Sequence, residues 1–403
     1  MKKVLYFSIL LVIGLIGSQI LPAVSGTLFP WLSEIISILT LIGLAFIMIH
    51  VGYEFEIDKS NLRVYGWDFV VATTAAVLPW IFTALYFMYF MLPPASSGSG
   101  DAWSNVMLVS LFAAPTSAGI LFSMLAAAGL SATWLFRKAR ILAIFDDLDT
   151  VLLMILLSMI IIGPEWQLLL VVLIMAALFY LAWRFLHLWT IPVIWPWVLI
   201  YSVAIVTVTE VIYYTSKSWN SQVPIHIEVL LPAFVLGCIM KRPGGHDPHH
   251  DDARDGHQEG PEDAGEQQVS TIISAVFIFL VGLNMPSIFN GGNLLTIPQT
   301  NLLATQPMPG IGILLLHILL ITLLSNLGKM YPALCYRREA NRKERLGLAI
   351  GMWPRGEVGA GILVIALGYG ISGPIVTVAA LSLALNLILT GIFIWLVKRL
   401  IMK

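Results

Sequence analysis

Three aspartates, Asp146, Asp147 and Asp149, stand inside "ARILAIFDDLDTVLLMILLSMIIIG", residues 139–163, where the run from Leu142 to Ile162 is long enough to cross a bilayer. A carboxylate near the centre of a lipid-embedded helix costs about 2.5–3.5 kcal/mol on the insertion scale, so three need a purpose. A carboxyl group withdrawn from water can hold a proton or a hard cation, because desolvation disfavours its bare charge. Asp146 and Asp147 diverge by about 100° on a helix and face different neighbours. Asp149, three residues past Asp146, shares its face.

Positive charge of matching depth lies elsewhere. Asp146 and Asp147 come six and seven residues after Arg140, about 9–10 Å along a helix. Lys329, in "LLITLLSNLGKMYPALCYRR", comes eight residues before Arg337, about 12 Å from the same side. An intramembrane lysine at the depth of an intramembrane acid is most simply its partner, so Asp146 and Lys329 are expected to pair. Arg355 lies nearer the midplane, and Asp149 is assigned to it. Glu357 falls in the first turn after Pro354, where a helix dipole favours an acid. It is read equally as a structural charge or as part of an ion path. Glu210, Glu228, His50 and His317 read as boundary or packing residues.

Helices must carry these groups. The chain is 58% hydrophobic and 11% charged, with a mean hydropathy of +0.88. Soluble domains hold about 25% charged residues, so this is a polytopic membrane protein. A net charge of −1 gives no footing to nucleic-acid binding, and no nucleophile–base pair or HExxH motif argues for an enzyme. Cys238 and Cys335 sit far from any paired spacing and read as reduced packing residues.

Runs of spanning length fall at 4–21, 30–51, 68–92, 104–128, 142–162, 166–186, 194–214, 225–240, 270–289, 310–334, 346–369 and 374–397. The first resembles a signal peptide in its Ala23-Val24-Ser25 end but is read as a retained span. Threading the chain from an inner N-terminus puts nineteen Lys and Arg inside and only Lys217 outside. This one-sidedness supports twelve spans with both termini in the cytoplasm. The segment 241–268, rich in histidine and acid, is read as a solvated connector rather than a metal site, because none of its ligand spacings is tight.

Two spans are interrupted. The fourth, "VMLVSLFAAPTSAGILFSMLAAAGL", has Pro115 followed by Thr116 and Ser117; the eleventh, "LGLAIGMWPRGEVGAGILVIALGYG", has Pro354 followed by Arg355 and Glu357. Proline removes a backbone donor, and irregular backbone at membrane depth persists only inside protein or beside a water-filled cavity. The two breaks lie seven spans apart and so run in opposite directions. Spans three to five and ten to twelve are therefore expected to be inverted repeats whose broken helices cross around an ion site.

These motifs together resemble the monovalent cation/proton antiporter superfamily, in its electrogenic sodium/proton branch. "AIFDDLDT" is similar to that branch's paired-aspartate motif, "SNLGKMYPA" to its tenth-helix lysine region, and "GMWPRGEVGAGI" to its penultimate-helix Pro-Arg-Gly-Glu motif. "SEIISILTLIGLAFIMIHVGYEFE" and "HIEVLLPAFVLGCIMKRP" follow its second and eighth spans. The resemblance implies a core of 68–162 and 309–403 moving against a scaffold of 1–67, 163–240 and 269–290 that forms a homodimer. It implies Asp147 as the sodium ligand, Asp146 paired with Lys329, Thr116 and Ser117 at the cation, and no cofactor beyond the transported Na⁺ and H⁺. Departures are the break in span four, which lacks an acid, and the additional Asp149.

The implied chemistry is Na⁺ (or Li⁺) exchange for H⁺ in a cell membrane, with a bacterial inner membrane as the expected setting. Other readings remain open at this stage: a potassium/proton antiporter, a sodium-coupled solute symporter that would leave Lys329 idle, or a non-transporting sensor that uses the histidine segment.

Overall fold

The structure, a computed structural model, describes residues 2–53, 62–93, 98–161, 166–186, 188–219, 225, 227, 229–241, 264–284, 308–369, 371 and 373–402. Glu228, most of the segment 241–268 and the end of the ninth run lie outside the described residues.

In lipid an unclosed chain satisfies its backbone donors and acceptors only as helix, and the apolar runs fold accordingly. In chain order the helices are α1 Lys2–Ser25, α2 Phe29–Tyr53, α3 Leu62–Tyr86, α4 Gly100–Ser110, α5 Ala118–Ala127, α6 Trp134–Ile161 and α7 Trp166–Arg184. They continue with α8 Trp195–Trp219, α9 Leu230–Ile239, α10 Ala264–Leu283, α11 Ile311–Gly328, α12 Arg342–Gly351, α13 Glu357–Gly368 and α14 Pro374–Ile401. Among the described residues, seven helical stretches are long and apolar enough to cross a membrane, the first running through α1 and α2 together. Three shorter apolar helices accompany them. The chain is an all-α polytopic membrane protein. The two runs read as interrupted are split: the fourth into α4, a 3-10 turn Leu111–Ala113 and α5, the eleventh into α12 and α13.

The chain divides into two compact units. The first comprises Met1–Ile36, Asn61–Pro164 and Ile278–Lys403, and holds every charged residue singled out from the interrupted spans. Within it α3 packs on α11, α6 and α4, while α14 packs on α12, α11 and α1. Trp80 ties α3 to α4 by donating to the Met107 carbonyl at 2.8 Å. Gly328, the last residue of α11, lies against the backbone of Pro79 in α3, and a Cβ there would overlap it. That close approach fixes where the next residue, Lys329, can point. α12 opens on a capping box, Asn341 accepting from the Glu344 amide and Glu344 from the Asn341 amide, both at 2.9 Å.

The second unit comprises Ser37–Ser60 and Glu165–Phe277. Gly52 of α2 and Gly237 of α9 meet backbone to backbone, since a Cβ on either would overlap the other helix's main chain. Small residues of this kind let membrane helices pack without a hydrophobic driving force.

Candidate functional site

The two helix breaks cross. The Ser117 amide donates to the Pro354 carbonyl at 2.9 Å, and the Thr116 hydroxyl donates to the Met352 carbonyl at 3.0 Å. Pro115 and Pro354 explain why each break is polar: helix cannot continue through them, so neighbouring amides and carbonyls seek partners outside their own helix. Those partners are largely the other break. Gly356 makes the approach possible, because a Cβ there would press on the Ser117 and Ile120 side chains. Ser117 also caps α5, its Oγ accepting from the Ile120 amide at 3.4 Å.

Charges complement the exposed helix ends. Asp146 of α6 points its Oδ2 at the start of α5, where it accepts from the Thr116 amide at 2.8 Å. Arg355 points the other way, donating through Nε to the Ala113 carbonyl at 2.9 Å, beyond the end of α4. Anions suit helix N-termini and cations suit C-termini, so each charge sits where a broken dipole favours it.

Lys329 caps α11 and donates from Nζ to Asp146 Oδ2 at 2.6 Å, with neither side chain exposed. The structure thus brings Asp146, Lys329 and Thr116 together, and the burial of Lys329 leaves it no route to snorkel to the surface. Oδ1 of Asp146 accepts no hydrogen bond among the described residues. Asp147 is buried beside it and close enough to Lys329 for its charge to act on the ammonium.

Asp149 corrects an expectation. It does not pair with Arg355; its Oδ2 accepts from the Thr73 hydroxyl of α3 at 2.7 Å. The guanidinium of Arg355 is instead surrounded by neutral oxygens: Ala113 O, Asn326 Oδ1 at 2.6 Å, Ser325 O at 2.8 Å and Trp353 O at 3.2 Å. Asn386 of α14 steadies this arrangement, accepting from the Arg355 amide and donating to Asn326 Oδ1 at 3.0 Å. The neighbour of Asp149 is therefore α3. Glu357 opens α13 directly after the break, and its side chain lies outside the described residues.

A second buried ion pair was missed by sequence reasoning. Lys138 of α6 donates to both oxygens of Asp68 in α3 at 3.1 Å and lies 3.0 Å from Glu339. The Tyr336 hydroxyl donates to Asp68 Oδ1 at 2.8 Å, and its ring lies 4.6 Å beneath the Lys138 ammonium. Burial and the adjacent Asp68 carboxylate hold the Tyr336 phenol far above its usual range, so it remains a neutral donor. Tyr336 adopts φ 55°, a left-handed backbone rare for a bulky residue and retained here where the ring and hydroxyl are both engaged. The available signal was an acid at the start of the third run and a lysine at the foot of the fifth, at equal depth.

A comparison with curated proteins finds no match. Among solved structures, the chain is similar to the sodium proton antiporter MjNhaP1 from Methanocaldococcus jannaschii at pH 8, with TM-score 0.57 and 14% identity over 96% of this chain and 91% of that one. At that identity the likeness speaks for the fold. A family model described as sodium/hydrogen exchanger, transmembrane, matches residues 2–400. Proteins of that kind are transporters rather than enzymes, and exchange a cation against protons without a cofactor. With nearly its whole length matched, spanning both crossed breaks and the Asp146–Lys329 pair, the chain belongs to the sodium/hydrogen exchanger family.

Proposed function

We propose that this protein exchanges Na⁺ or Li⁺ for H⁺ by alternating access, electrogenically, with Asp147 as the seat that the two ions occupy by turns. The observation that carries this reading is a fully buried lysine–aspartate pair, Lys329 on Asp146 at 2.6 Å, set against two crossed helix breaks with a second carboxylate, Asp147, adjacent. Sodium takes hard oxygen ligands. Asp147 offers a carboxylate, and Thr116 and Ser117 offer hydroxyls at a break already rich in carbonyls.

Protonated, Asp147 has no charge to offer sodium; ionised, it does. Competition at one group therefore couples the two fluxes, and the half-saturation for sodium falls as pH rises. Lys329 supplies a second proton. When sodium entry draws Asp146 away, the ammonium is left in a dry site without its counter-charge and gives up its proton; return of Asp146 restores it. Two protons for one sodium ion move net charge, so the membrane potential drives the cycle.

The core assigned to this motion is 68–162 and 309–403, and both segments fall within the first compact unit. We further propose a homodimer in the cell membrane with both termini in the cytoplasm, a placement supported by the distribution of Lys and Arg.

The test is proton flux in proteoliposomes with Na⁺, Li⁺ and K⁺ added in turn, at clamped and free voltage. Na⁺ or Li⁺ evokes flux that an imposed potential speeds or slows. Flux evoked equally well by K⁺, or indifferent to potential, overturns the corresponding part of the proposal.

A further inference from the structure

Five exposed basic side chains meet at one end of the first unit: Arg137 near the start of α6, Arg337 and Arg338 in the turn after α11, and Arg342 and Lys343 at the start of α12. Packing brings them together. The Tyr336 ring stands edge-on to Trp134 at 5.8 Å, and Glu339 lies 3.0 Å from the Lys138 ammonium. The turn that carries Arg337 and Arg338 is thus held against the residues on either side of Arg137. Arg345 fixes the same turn to α12, donating to the Ala333 and Cys335 carbonyls at 3.1 and 3.3 Å. α12 rests in turn on α6, with Gly347 against Leu135.

None of these five side chains makes a hydrogen bond or ion pair among the described residues, whereas their basic neighbours are engaged. Lys138 holds Asp68 and Glu339, Arg345 holds two carbonyls, Lys398 donates to the Ala128 carbonyl at 2.6 Å, and Arg399 lies over the Trp395 ring. The nearby acids are taken as well, Glu339 by Lys138 and Glu344 by the Asn341 amide. Nor do the five serve the fold. The first turn of a helix favours acids, yet Arg342 and Lys343 open α12. Orienting a chain in a membrane needs only a number of positive charges on one side, not five crowded together without a counter-charge. Such a group repels itself unless an anion arrives from outside. Leu334, three residues before Arg337, is 64% exposed, so apolar surface and positive charge adjoin in one turn.

We propose that this patch binds the anionic headgroup of a phospholipid in the cytoplasmic leaflet. Guanidinium groups match a phosphodiester in charge and in hydrogen-bond geometry, and Leu334 meets the apolar part of the same molecule. A free phosphate satisfies the charge but leaves Leu334 in water. All five basic residues belong to the segments assigned to the moving core, so a held lipid ties that core to the membrane surface. The choice of leaflet rests on the topology proposed above; the binding itself rests on neither the topology nor ion exchange.

The test measures how strongly the full-length protein in phosphatidylcholine nanodiscs immobilises spin-labelled phosphatidylglycerol relative to spin-labelled phosphatidylcholine. The wild type is expected to prefer phosphatidylglycerol, and to lose that preference at high salt. Arg337→Gln with Arg338→Gln, and Arg342→Gln with Lys343→Gln, each lower the preference by on the order of tenfold, while Arg337→Lys with Arg338→Lys keeps most of it. Should either neutralised pair fail to insert, Arg137→Gln decides by a smaller fall in the same direction. A wild type without preference, or a preference intact in the neutralised variants, overturns the proposal. A preference abolished by inorganic phosphate at constant ionic strength assigns the patch to a soluble anion and also overturns it. The measurement needs no ion flux, so its failure leaves the antiport reading standing, and loss of sodium-evoked flux leaves the lipid site standing.

Discussion

Among its described residues the first unit contains two buried lysine–aspartate pairs, and they are built differently. At Lys138 and Asp68 everything is satisfied: both Asp68 oxygens accept from Lys138, one also from Tyr336, and Lys138 has Glu339 and an aromatic face besides. At Lys329 and Asp146 one oxygen takes both donors, Lys329 and the Thr116 amide, while Oδ1 accepts none among the described residues. The first pair has every reason to stay closed. The second holds a carboxylate oxygen in reserve next to another acid, and so can change partners. A buried ion pair is weak evidence for stability by itself; what distinguishes a working pair from a fastening is how completely its polar atoms are paired.

Substitutions should separate the two pairs by kind of effect. Asp147→Asn is expected to have the largest, loss of sodium-evoked proton flux in proteoliposomes to the background of empty vesicles. Next comes Lys329→Gln, after which exchange continues but no longer responds to an imposed potential; unchanged voltage dependence would assign the second proton elsewhere. Lys138→Met removes one partner of the saturated pair and should lower stability by about 3–5 kcal/mol, read from thermal unfolding in lipid nanodiscs, with sodium half-saturation unchanged. Tyr336→Phe deletes one hydrogen bond and should cost about 1 kcal/mol in the same assay. If Lys138→Met altered ion affinity more than stability, the contrast between the pairs would fail.

The sequence carried the Lys329–Asp146 pairing because both are ionisable, intramembrane and equally deep, and such residues have few places to go. It carried both breaks, because proline followed by polar residues cannot be continuous helix in lipid. It did not carry Thr73, Asn326, Ser325 or Asn386, which hold Asp149 and Arg355. Neutral polar residues are tolerated throughout membrane helices, so their positions alone mark nothing. The assignment of Asp149 to Arg355 failed for a related reason: helical spacing gives the face of α6 but not which helix packs there, and that helix is α3. Asp68 was passed over because an acid at the end of an apolar run looks like a boundary. One of its partners is Tyr336, itself a left-handed residue beyond α11 that no periodicity announces.

The central claim is that a sodium ion and a proton exclude one another at Asp147. The most direct measurement adds sodium to the purified protein in nanodiscs, in weakly buffered solution, and follows the pH. The account predicts acidification that saturates with sodium in the wild type and is absent in Asp147→Asn. Sodium binding without proton release in the wild type, or undiminished release in Asp147→Asn, would contradict it.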